Sequence, residues 1–183
     1  MAASSNFFCL SNSAAFLASA SFCSRANLAA SISAAFFAAE IYVPLALQEV
    51  RGASVVLSGG VLTAATITWF AGSWLQGSHK LKYSKQQILV GGVLLISLGI
   101  ALTPVAVFAP ISITASALFA SVIWGIAAFG MGLCYPTLGV LMLDQSPEEE
   151  HARHSASLQM SDSFGLIIAT AIAGSVLAFA SVA

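Results

Sequence analysis

Charged residues are confined to a few short places in this chain, and long apolar stretches run between them. The stretches cover residues 27–48, 54–76, 87–108, 113–142 and 155–182. A helix rises about 1.5 Å per residue, so each is long enough to cross a hydrocarbon core of roughly 30 Å. Inside a bilayer every backbone N–H and C=O must find its partner within the protein, so such stretches are helices rather than open strands. Only 7% of the residues are Asp, Glu, Lys or Arg, against about a quarter in a soluble domain. The expected fold is therefore an all-α membrane protein, a bundle of five strong transmembrane helices over residues 27–183, with no soluble domain large enough for chemistry of its own.

Residues 1–26 are a separate problem. They are rich in Ser and Ala, with Phe7, Phe8, Leu10, Phe16, Leu17 and Phe22 as apolar anchors, and no basic region precedes them as a secretory signal would require. Three readings stay open: a weak sixth span, an interfacial helix, or a leader.

Six Lys and Arg against seven Asp and Glu leave no field to attract nucleic acid. The expected surroundings are the lipid bilayer, as a multi-pass protein. Lys80, Lys82 and Lys85 stand together between the second and third stretches, and short loops enriched in Lys and Arg stay cytoplasmic. Alternation then sets the loops near Arg51 and Pro110 outside, and the loop bearing His151, Arg153 and His154 inside. Cys9, Cys23 and Cys134 lack metal-ligand spacing and read as small hydrophobes. No hydrolase triad, zinc motif, phosphate-cradling glycine loop or redox pair is present, so neither an enzyme nor a cofactor is expected. The pairs Gly59–Gly60 and Gly91–Gly92 read as places where helices approach closely.

Two carboxylates lie inside apolar spans. Glu40 sits among Phe36, Phe37, Ile41 and Tyr42, on a face with Ser33, Pro44 and Gln48. A carboxylate facing lipid costs several kcal/mol, so Glu40 belongs toward the bundle interior or a water-filled cavity. Protonation relieves that cost. A group that is neutral when occluded and charged when wet is what proton coupling needs, while a structural Glu bonded to a neighbouring helix is the other reading. Asp162 lies two turns into the fifth stretch on a face with Gln159, either capping the helix end or starting a polar stripe from the cytoplasmic mouth. Thr63 and Thr66 share a face of the second stretch and read as packing or, alternatively, path-lining residues. Pro44 and Pro136 each remove a backbone hydrogen bond within a helix and permit a hinge.

These features resemble the C-terminal half of a major facilitator superfamily transporter, of the bacterial drug-efflux, proton-antiporter type. Ala38-Ala-Glu-Ile-Tyr-Val-Pro-Leu-Ala-Leu-Gln48 is similar to the family's first C-half helix. Gly72-Ser-Trp-Leu-Gln76 with Lys80 and Lys82 resembles a worn copy of the family's Gly-x-x-x-Asp-Arg loop signature, with Gln76 where the acid would stand. Gly130 to Leu143, the following loop, Ser157 to Asp162 and Gly165 look like the tenth helix, inner loop and eleventh helix. The resemblance implies a partial secondary transporter that exports small amphipathic molecules against protons. Glu40 and Asp162 are then candidates for coupling, and Gln48, Thr63, Thr66 and Gln159 would line the path. It also implies a complementary N-terminal half, because substrate binds between two six-helix halves. The alternative is a non-transporting interaction subunit or an inactive remnant.

Overall fold

A computed structural model of the chain describes residues 13–78, 82–144, 149 and 151–182. Among them there is no strand, and five long helices carry the chain: α1 Ser13–Arg51, α2 Val55–Gly77, α3 Lys85–Phe108, α4 Ile113–Leu143 and α5 His151–Val182. All five contain a segment long and apolar enough to span a membrane; in α1 it is Ala30–Arg51, and in α5 it is Ser155–Ser175.

The helix ends follow local chemistry. Gly52, at φ 66°, takes the left-handed conformation that ends α1, and its N–H donates to Gln48 C=O at 2.9 Å. Ser54 then opens α2, its hydroxyl accepting from Leu57 N–H. Ser84 opens α3 with a reciprocal cap: its hydroxyl accepts from Gln87 N–H, and the Gln87 side chain accepts from Ser84 N–H.

One difference from the expected boundaries stands out. α1 starts at Ser13 and passes without a break through residue 26, because a Ser/Ala-rich run too polar to read as a span still propagates a helix begun beside it. As expected, Pro136 lies inside α4 and Pro44 inside α1, where neither ends its helix.

The chain forms two compact units, one of Ala35–Thr137 and one of Met1–Ala34 with Leu138–Ala183. In the first, α4 is the central helix. Its residues Ala117, Ala120, Ile123, Trp124, Ala127, Ala128, Met131 and Cys134 are all buried. Small residues let it approach both neighbours closely. A Cβ on Gly132 would lie 2.3 Å from Trp69 O of α2, one on Gly72 2.5 Å from Phe129 O, and one on Gly130 2.6 Å from Gly92 O of α3. Gly99 meets Ala127 in the same way. The Cys134 thiol donates to Leu89 C=O at 3.3 Å, consistent with a small packed hydrophobe.

The glycine pairs named from the sequence behave differently. Gly92 makes a close approach, whereas a Cβ on Gly59, Gly60 or Gly91 would meet nothing within 4 Å. The buried face of α2 carries Ser58, Val61, Ala65 and Gly72 instead. In the second unit, Gly165 of α5 faces α1, where an added Cβ would stand 2.9 Å from Ala30 O. Outside these contacts the helices expose large apolar side chains, including Val56, Ile67, Phe70, Leu94 and Ile172, which suits a surface whose solvent is lipid.

Candidate functional site

In the first unit, one stripe of α1 turns inward. Phe36, Val43 and Leu47 are 0%, 3% and 0% exposed. Glu40 lies four residues after Phe36 and three before Val43, at the edge of the same helical face, yet it is only half-buried. The inward stripe is thus interrupted at one position, and that position holds a carboxylate. Along the span Ala30–Arg51, Glu40 stands roughly 15 Å from either end at 1.5 Å per residue. That depth is close to the middle of a hydrocarbon core about 30 Å thick.

One turn earlier, α1 enters an aromatic cluster that its sequence neighbours do not announce. The Phe36 ring stacks on Trp124 of α4, with centroids 5.1 Å apart and planes 13° apart. It meets Trp69 of α2 edge-on at 5.6 Å. Phe37 and Tyr135 complete the group around Trp69. These rings fix the level at which α1, α2 and α4 meet, and so set the depth of Glu40. Trp124 is fully buried, and its indole N–H has no hydrogen-bond partner among the described residues. Trp124→Ala is expected to cost about 3–5 kcal/mol, whereas Trp124→Phe, which keeps the stack and forfeits no hydrogen bond, should cost less than half of that. Thermal unfolding in detergent checks the ratio.

The other expected residues fall in varied settings. Gln48 is half-buried near the end of α1. Thr63 and Thr66 are exposed on α2, and their hydroxyls donate to Gly59 and Leu62 carbonyls one turn back, so each is satisfied within its own helix. Gly72 is buried against α4 within α2, Gln76 is half-buried near its end, and Lys82 is exposed in the following loop. Lys80 lies outside the described residues. Pro44 and Pro136 are half-buried. In the second unit, Asp162 is half-buried on α5 while Gln159 is exposed. Together with Met160, Ser163, Phe164 and Ile167, Gln159 lines an open groove.

Sequence reasoning passed over two features of the first unit. One is the aromatic cluster. The other is a bridge in which the Arg51 guanidinium donates to the Ile111 carbonyl, tying the end of α1 to the loop between α3 and α4. Beside it, α1 and α3 enclose an apolar groove lined by Ala39, Tyr42, Val43, Ala46, Ile100, Thr103, Pro104, Val107 and Phe108. No group of His, Cys, Asp and Glu among the described residues is arranged to hold a metal ion.

No curated protein and no solved structure matches this chain. The model of the Major Facilitator Superfamily matches residues 6–170, which takes in most of α1 through α5. A chain with five helices among its described residues long and apolar enough to span a membrane, matched over that length, belongs to the major facilitator superfamily of transporters.

Proposed function

We propose that the chain acts as the C-terminal half of a proton-coupled exporter of small amphipathic molecules in a bacterial plasma membrane, completed by a complementary N-terminal half. The single observation that carries this reading is the position of Glu40, a half-buried carboxylate interrupting an inward stripe near mid-span. Secondary transporters bind substrate and coupling ion near the bilayer midplane, and an ionisable residue at that depth is costly unless it serves a path or a partner. In this scheme Glu40 takes up and releases the proton as its bundle rocks. Asp162 is the second coupling candidate, and Gln159 and Gln48 are further candidates for lining the path. Thr63 and Thr66 line the path on the complementary half's side, where their exposure leaves them available. Gly72 and Gln76 near the end of α2, with Lys80 and Lys82 after it, make up the cytoplasmic loop signature, and Pro44 and Pro136 are points of bending.

The test is efflux by the chain in everted vesicles, with and without any six-helix frame that adjoins its gene. A pH gradient, acid inside, is imposed and accumulation of a fluorescent amphipathic dye in the vesicle lumen is followed as export. Efflux that requires the gradient and both polypeptides supports the proposal. No efflux in either preparation, with both proteins folded, would favour a non-transporting subunit or remnant.

A further inference from the structure

The groove between α1 and α3 has a composition and an ending that together specify an occupant. Its walls are apolar apart from the hydroxyl-bearing Tyr42 and Thr103, and Thr103 Oγ1 is already donating to Gly99 C=O at 2.8 Å. Nearly all of the surface the groove presents is therefore apolar. From Ala39 to Ala46 it extends along α1 for about 10 Å at 1.5 Å per residue, a third of the hydrocarbon thickness. Its volume is about 240 Å³.

One end of the groove carries a cation. Arg51 follows Ala46 by a little more than one turn, and its guanidinium reaches the carbonyl of Ile111, three residues beyond the groove residue Phe108. Three residues span at most ~10 Å, so the guanidinium stands at the mouth of the groove. A guanidinium has five N–H donors in a fork that matches phosphate geometry, and a single carbonyl leaves most of the fork available. Glu49, two residues earlier, projects roughly 200° around α1 and does not neutralise it.

We propose that this groove is a binding site for one acyl chain of an anionic phospholipid, with the lipid phosphate held by Arg51 at the helix ends opposite the lysine-bearing loop. The bilayer supplies such a molecule at high local concentration, with its apolar chain and anionic head in the same order as the groove and the arginine. The lipid would thereby wedge α1 against α3 beside the Glu40 stripe. The proposal does not depend on the transport reading.

The test uses the full chain in nanodiscs of phosphatidylcholine doped with phosphatidylglycerol bearing a photoreactive group in its acyl chain, with labelled residues mapped by mass spectrometry. Labelling should concentrate on Val43, Ala46 and Val107. Ala46→Leu and Ala46→Phe should each deplete it there in order of side-chain size, two variants guarding against misfolding of either. Arg51→Gln should lower the preference for phosphatidylglycerol over phosphatidylcholine about fivefold, and Arg51→Lys should restore part of it. Labelling spread evenly over exposed positions such as Ile67 and Phe70 of α2 overturns the proposal. So does a head-group preference unmoved by Arg51→Gln, or protection of the groove by a second copy of the chain.

Discussion

Replacing Glu40 by glutamine is expected to abolish proton-driven efflux by the assembled transporter while leaving the bundle folded. Glutamine keeps the volume of the side chain and much of its hydrogen-bonding capacity, so Phe36, Val43 and Leu47 retain their inward packing. What it loses is the capacity to take up a proton. Substrate counterflow, in which labelled and unlabelled molecules exchange without net proton movement, should persist in the variant. A gradient-driven rate that falls to background beside intact counterflow identifies a coupling group. Loss of both activities would make Glu40 a substrate or structural residue, and unchanged efflux would sink the proposed role altogether. The size of the expected effect follows from geometry, because the carboxylate stands near mid-span on a stripe that is otherwise closed.

The largest effect on stability is expected at Gly132. A Cβ there would lie 2.3 Å from the Trp69 carbonyl and 2.9 Å from Ser73 N. Both are backbone atoms, so no side chain can swing aside and the helices themselves must separate. Overpacking usually costs 1–3 kcal/mol, and Gly132→Val should cost about 3 kcal/mol or more, enough to depopulate a bundle of ordinary stability. Gly59→Ala is the matched control: it adds a Cβ into open space on α2 and gains the ~1 kcal/mol by which Ala exceeds Gly in helix propensity. Monodisperse yield and unfolding temperature in detergent should move in opposite directions for the two variants. A Gly132→Val protein as stable as its parent would mean that α2 and α4 do not meet at this spacing.

The contrast between those glycines also marks where sequence reading stops. Hydropathy locates the spans because lipid demands an apolar surface over a definite length, and the ends of α2, α3 and α4 fall within two residues of those expected. That same demand erases the signal for which face packs. A helix in water shows its core side as an apolar stripe, but α2 is apolar toward both lipid and neighbour. Nothing in the spacing of Gly59, Gly60, Gly72, Gly91 and Gly92 separates Gly72 and Gly92, which touch neighbouring helices, from the three that do not. Glu40 was legible because a charge in an apolar span needs an explanation by itself. The aromatic cluster was not, since Phe36, Trp69 and Trp124 come together only through tertiary pairing across a wide sequence separation. The start of α1 at Ser13 was missed for a further reason. Arg25 and the surrounding serines lower hydropathy without lowering the capacity of the backbone to continue a helix.

The central place of α4 has a consequence for biogenesis. Gly72 and Gly92 leave the ribosome before the carbonyls they pack against exist, since those partners belong to Phe129 and Gly130. At 5–20 residues per second, the 60 residues from Gly72 to Gly132 take about 3–12 s to synthesise. During that interval α2 and α3 are inserted without the helix that clasps them, and only then does each find its mate. A chaperone or translocon that shelters nascent spans would act on this interval, and a ribosome stalled before α4 would leave its client open along two seams.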